Sequence, residues 1–363
     1  DTPATPSDGS GTPSDPAGAP ADPAGAASPP PGPPAPDPPP PADPLDPDAL
    51  ETSLEMRLLA PLGTVVQGQP QVLRQVAVTL LARGHALLEG VPGTGKTLAV
   101  RALARAVGLD FGRVQFTPDL MPTDLVGVSV LDRERSEFSY RPGPVFTDLL
   151  LADEINRAPA KTQAALLEAM EERQVTVDGV SRPLPTGFTV FATQNPVDFE
   201  GTYPLPEAQL DRFLMKIVVD YPSEAAEAAV LTRYAEGFRS EDPASFGIGA
   251  PLGRDELEDH RAAVDRVHVD ERIRTYINHL VRATRNEPVF ALGASPRAGV
   301  ALFLACRAEA HLAGRDFVTP DDVRRLAFPV LRHRVLLTPD AEVEGRSADD
   351  ELRSLLETLE APR

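Results

Sequence analysis

The chain has 363 residues, with 35 basic against 54 acidic side chains, a formal net charge of −19, one cysteine and no tryptophan. That balance argues against a general grip on nucleic acid, which needs clustered Lys and Arg on the phosphates. A lone cysteine excludes an intrachain disulfide and a Cys-rich metal centre and fits a cytoplasmic protein, and no apolar run reaches the ~18–20 residues of a membrane span.

The amino terminus lacks the basic-then-apolar order of a signal peptide. Residues 1–47 hold 18 of the 40 prolines, and no Lys or Arg precedes Arg57. With almost nothing to bury, this tail is expected to be disordered and partly extended. "SPPPGPPAPDPPPP" reads as a spacer, with docking on a proline-reading module as the alternative.

From about Asp48 the pattern changes. "DPDALETSLEMRLLAPLGTVV" predicts a first helix. "QPQVLRQVAVTLLARG" predicts a second, with Leu73, Val76, Ala77, Leu80 and Leu81 on one face and Gly84 as its stop. A strand, "HALLEG", then leads through "VPGTGKT" into the helix "TLAVRALARAVG". Further apolar strands follow, "RVQFT", "LLLADE", "FTVFATQ" and "LMKIVVDY", with helical stretches between several of them. Such alternation predicts an α/β fold with a parallel sheet covered on both faces. Two segments interrupt it. "LVGVSVLDRERSEFSYRPGPV" reads as two strands around a charged turn at Asp132–Ser136, and "RQVTVDGVSRPLP" as a hairpin turning at Asp178–Gly179. After "VDYPS" no further strand is expected. Helical patterns run over 223–238, 254–268, 270–286, 296–313, 320–331 and 348–359. Cys306, in "ALFLACRAEA", reads as a small core residue on one of them.

"GVPGTGKT", from Gly90 through Val91, Pro92, Gly93, Thr94, Gly95 and Lys96 to Thr97, fits the phosphate-loop pattern between a strand and a helix. Gly93 and Gly95 let backbone N–H groups converge on phosphate oxygens at the positive end of the helix dipole. Lys96 can neutralise the β- and γ-phosphates, and Thr97 can ligate Mg²⁺. "LLLADE" ends on Asp153 and Glu154. On a strand beside the loop strand, its carboxyl end would open at the nucleotide. Asp153 would then hold Mg²⁺ through water, and Glu154 would orient and deprotonate an attacking water. A helix-capping acid pair is the alternative. Asn195, just past "FATQ", suits a γ-phosphate sensor, since its amide donates and accepts at once; an Asn-Pro turn is the other reading. Arg297 starts a helix behind Ser295 and Pro296. A cation there runs against the dipole unless it meets an anion, which points to a phosphate partner. Arg212 directly precedes a strand. Either arginine could instead serve a salt bridge, and Arg157 in "EINRAP" is open in the same way.

In these residues the chain resembles the MoxR-type members of the AAA+ ATPases. "EGVPGTGKT", "ADEINRAPAKTQAALLEAMEERQVTVDG", "FATQNPVDFEGTYPLPEAQLDRF" and "GASPRA" carry the resemblance, over roughly residues 53–340. It implies an AAA+ P-loop core with a five-stranded parallel sheet and two hairpin insertions, over 48–222, followed by an all-helical lid, 223–363. The tail 1–47 lies outside it. The resemblance implies ATP and Mg²⁺ held by Gly90–Leu98, with Lys96 and Thr97 in Walker A and Asp153 and Glu154 in Walker B. Asn195 becomes sensor 1, Arg297 sensor 2, and Arg212 an arginine finger reaching a neighbour's site. It further implies a homo-oligomeric ring, often a hexamer, with a chaperone-like role in activating or maturing a partner, often one with a von Willebrand factor A domain. Two other readings stand beside that remodeller. One is a nucleotide-controlled regulatory scaffold. The other is the motor subunit of a chelatase, which would need a separate metal-binding subunit, since the six His are scattered.

Overall fold

The computed structural model describes residues 53–132, 137–196, 203–249 and 251–362. The expected disordered tail, 1–47, and residues 133–136 of the expected charged turn lie outside them. The first two helices are Leu54–Val65 and Pro70–Leu81. Ser53 caps the first, accepting from the Met56 N–H at 3.2 Å. The predicted apolar face of the second is buried from Leu73 to Leu81.

The strands in chain order are β1 (Ala86–Glu89), β2 (Phe111–Gln115), β3 (Gly127–Asp132), β4 (Glu137–Pro142), β5 (Leu149–Asp153), β6 (Gln174–Val177), β7 (Val180–Pro183), β8 (Thr189–Gln194) and β9 (Met215–Val218). Five of them form one parallel sheet in the order β2-β5-β8-β1-β9. Every residue of β5 is buried, and successive side chains go to opposite faces. Leu149 and Leu151 join one apolar cluster and Leu150 and Ala152 the other. A sheet covered on both faces therefore needs a continuously apolar strand, which is why "LLLA" does not alternate with polar residues. The register sets Gln115 beside Asp153 and Glu89 beside Gln194, so β1, β2, β5 and β8 end together.

Both interruptions are antiparallel hairpins, β3 with β4 and β6 with β7. Asp178 and Gly179 have φ of +53° and +75°, as a two-residue turn with both central residues left-handed requires.

After β9 the chain is mainly helical, over Glu224–Ala235, Arg254–Arg266, Glu271–Ala283, Pro296–Leu312, Pro320–Leu331 and Ala348–Thr358. Two further strands correct the expectation that none follow β9. β10 (Phe290–Leu292) and β11 (Leu336–Leu337) pair antiparallel, which gives main-chain groups between helices the partners that they need. The first cluster runs unbroken from the sheet into these helices, taking in Leu280, Leu302 and the buried Cys306. Polar ties reinforce the junction. The buried Arg334 donates to Asp211 Oδ1 at 2.7 Å and to the carbonyl oxygens of Phe213 and Leu214 at 2.7 and 3.1 Å. Arg261 donates twice to the Leu80 carbonyl, at 3.1 and 2.9 Å. Among the described residues no helix is long and apolar enough to cross a membrane.

Candidate active site

The phosphate loop leaves β1 at Glu89 and enters the helix Lys96–Val107 through Gly95. Gly93 and Gly95 have φ of +84° and +87°, a region that glycine occupies freely. Gly90 answers a different need, because a Cβ there would sit 2.2 Å from the Val219 carbonyl oxygen, past the end of β9. The Thr94 hydroxyl donates to the Val91 carbonyl at 3.0 Å. The Lys96 ammonium donates to the carbonyls of Gly90 and Val91 at 2.6 and 2.7 Å. Burial draws its pKa below the usual lysine range, while the charges of Asp153 and Glu154 work the other way. A cation resting on neutral carbonyls is available to a phosphate, with which it makes a stronger charge-assisted bond.

Asp153 closes β5 with both oxygens engaged. Oδ1 accepts from the Thr193 hydroxyl at 2.5 Å. Oδ2 stands 3.5 Å from the Thr97 hydroxyl and accepts from Nε and Nη2 of Arg113 at 3.1 and 2.7 Å. Thr193 also accepts from the Glu154 N–H at 2.9 Å, so one hydroxyl aligns both acids. Glu154 adopts left-handed backbone angles, φ 56° and ψ 51°, which cost a non-glycine residue roughly 1–2 kcal/mol. Unlike Asp178, Glu154 adopts this conformation at the mouth of the cavity rather than in a hairpin turn. The Glu154 carboxylate pairs with Arg157 at 2.8 Å.

These groups face one cavity of about 530 Å³, lined by Lys96, Thr97, Asp153, Glu154, Thr193 and Asn195 among others. Val65 and Val66 at the end of the first helix, with Val230, Tyr234 and Phe238 from beyond β9, add an apolar wall. Of the expected nucleotide-binding run, Pro92 through Leu98 line the cavity. Gly90 and Val91 are outside the lining and act through the carbonyls that hold Lys96.

The two other predicted arginines are brought together elsewhere. Arg212 pairs with Oε2 of Glu171 at 3.0 Å, and Arg297 with Oε1 of the same carboxylate at 2.9 Å. Neither belongs to the cavity lining. The salt-bridge geometry weighed for both is thus present, and it joins the start of the Pro296–Leu312 helix to the segment before β9.

Sequence reasoning passed over Arg113, Thr193, Glu171 and Arg334. A polar residue inside the apolar "TVFATQ", two before Asn195, was a usable signal for Thr193. The others carry no local signal, because their partners lie far along the chain.

A phosphate loop and two acids at the carboxyl ends of a five-stranded parallel sheet, with a helical lid behind, define an AAA+ ATPase. Comparison with known proteins agrees. Residues 85–215 match the model of the ATPase family associated with various cellular activities, and 282–355 that of the AAA lid domain. Chaperone MoxR1 of Mycobacterium tuberculosis is 42% identical over 87% of this chain and 84% of its own length. Protein MoxR of Paracoccus denitrificans is 37% identical over 78% and 88%, and the uncharacterized protein YeaC of Bacillus subtilis 46% over 83% and 92%. The crystal structure of an ATPase-like protein from Cytophaga hutchinsonii superposes with a TM-score of 0.77 at 38% identity, covering 87% of this chain and 98% of that one. The chain belongs to the MoxR family of AAA+ ATPases.

Proposed function

We propose that the chain binds ATP with Mg²⁺ in this cavity, hydrolyses it within a homo-oligomeric ring, and uses the cycle to remodel a client protein. The observation that carries the reading is the meeting of Lys96, Thr97, Asp153, Glu154 and Asn195 around one cavity. The functional units are a nucleotide-binding core, 48–222, and a lid, 223–363. The loop amides and Lys96 take the phosphates, and the apolar wall of Val65, Val66, Tyr234 and Phe238 suits the base. The Thr97 hydroxyl and the Asp153 carboxylate are hard oxygen donors 3.5 Å apart, a set that fits Mg²⁺. When bound, the ion supplies charge to the β- and γ-phosphate oxygens.

Glu154 takes the proton of the attacking water as the new P–O bond forms and the bond to the leaving ADP breaks. Asn195 orients that water against the γ-phosphate. Arg212 and Arg297, joined on Glu171, form a basic pair that serves the neighbouring subunit. The client is a protein of the kind that carries a von Willebrand factor A domain. A client-stimulated ATPase rate supports remodelling, and a slow rate that no client changes speaks for a regulatory scaffold instead.

Lys96→Ala tests the cavity directly. Truncating one partner of a buried charge pair costs about 2–5 kcal/mol, so affinity for a fluorescent ATP analogue is expected to fall at least ~30-fold. Undiminished affinity would place the nucleotide elsewhere.

Arg297→Ala tests the pairing on Glu171. Hydrogen bonds to charged groups are worth about 1.5–3 kcal/mol, so turnover at assembling concentrations is expected to drop about 10–100-fold. Nucleotide affinity of the dilute chain stays at the wild-type value. A matching loss of affinity in the dilute chain would mean that Arg297 reaches its own cavity.

A further inference from the structure

The arginine on β2 bonds the Asp153 oxygen that lies nearest the Thr97 hydroxyl. Thr193 holds Oδ1 of Asp153 at 2.5 Å, so Oδ2 is the oxygen that faces Thr97. Oδ2 is also the oxygen that receives Nε and Nη2 of Arg113. A guanidinium and a divalent cation repel each other, so each weakens the other's hold on one carboxylate oxygen. We propose that Arg113 is a positioning residue that neutralises Asp153 in the resting site and must swing aside when nucleotide brings in the cation. The inference rests on the reading of Asp153 as a cation-side acid.

The geometry allows the swing. β2 is an edge strand, and the Arg113 side chain is 46% exposed where that of Asp153 is 12%. Its Nη2 also meets Gln115 Oε1 at 3.2 Å. Gln115 lies two residues on, on the same face of the strand, and offers the departing guanidinium a second acceptor. The pair is not needed to hold β2, which is joined to β5 along its whole length from Phe111 to Gln115. What it changes is the availability of one oxygen.

The test is a titration of the full chain with Mn²⁺ in the presence of ADP, following free Mn²⁺ by electron paramagnetic resonance. Hydrolysis plays no part in the readout. Arg113→Gln is expected to bind Mn²⁺ more tightly than wild type, by up to about fivefold, the upper end for a part-exposed ion pair. Arg113→Lys keeps the competing charge and should stay close to wild type. Asp153→Asn should bind more weakly. Unchanged or weaker binding by Arg113→Gln, with Asp153→Asn weakened, overturns the competition and leaves the reading of Asp153 standing. Unchanged binding by Asp153→Asn overturns both.

Discussion

Arg212→Ala is expected to cut ATP turnover by about 10³–10⁵-fold, the contribution of an arginine that stabilises transferring phosphate, while the chain still binds ATP. The side chain lies outside its own cavity and pairs with Glu171. Its segment is rigidly placed, because Arg334 grips Asp211, Phe213 and Leu214 on either side of it. A fixed base with a part-exposed guanidinium is the arrangement a group needs to serve a neighbour. If the finger acts between subunits, two inactive variants restore each other. Arg212→Ala keeps its own acids and phosphate loop but offers no finger. Glu154→Gln has no base but still presents Arg212. Mixing them should raise the rate above either alone, and the specific rate should climb with protein concentration. The competing account, a surface ion pair worth at most ~1 kcal/mol, predicts a nearly active Arg212→Ala and no rescue. An inactive Arg212→Ala whose verified mixed assemblies regain nothing would place Arg212 in service of its own subunit.

Glu154→Gln is expected to keep ATP binding and lose about 10²–10⁴-fold in hydrolysis, the usual worth of a general base. The amide keeps the size of the side chain and can still bond a water, yet it cannot accept the proton. The backbone at Glu154 does not depend on the carboxylate, since its N–H is held by the Thr193 hydroxyl. Binding and chemistry should therefore separate cleanly in the variant. Phosphate release and equilibrium binding of a labelled analogue check the two halves. A wild-type rate in this variant would reduce Glu154 to a partner of Arg157.

Much of the site is legible along the chain because its physics is local. A phosphate loop is strand, glycine turn and helix within eight residues, so Gly93, Gly95, Lys96 and Thr97 declare themselves. "LLLADE" announces a doubly covered strand whose first polar residues must lie at its mouth, and the hairpin at Asp178–Gly179 is written in two residues. The arginines show where that legibility stops. Arg113 meets Asp153 across 40 positions, Arg334 meets Asp211 across 123, and Arg297 meets Glu171 across 126. Periodicity and turn chemistry act over a few residues and carry no information on such pairs. Strand order sets β2 beside β5 and so puts Arg113 on Asp153. The packing of the lid helices on the sheet brings Arg297 to Arg212 at Glu171 instead of to the phosphate loop. Charge partners across elements depend on which surfaces come into contact, and that is settled only when the apolar faces of sheet and helices bury one another.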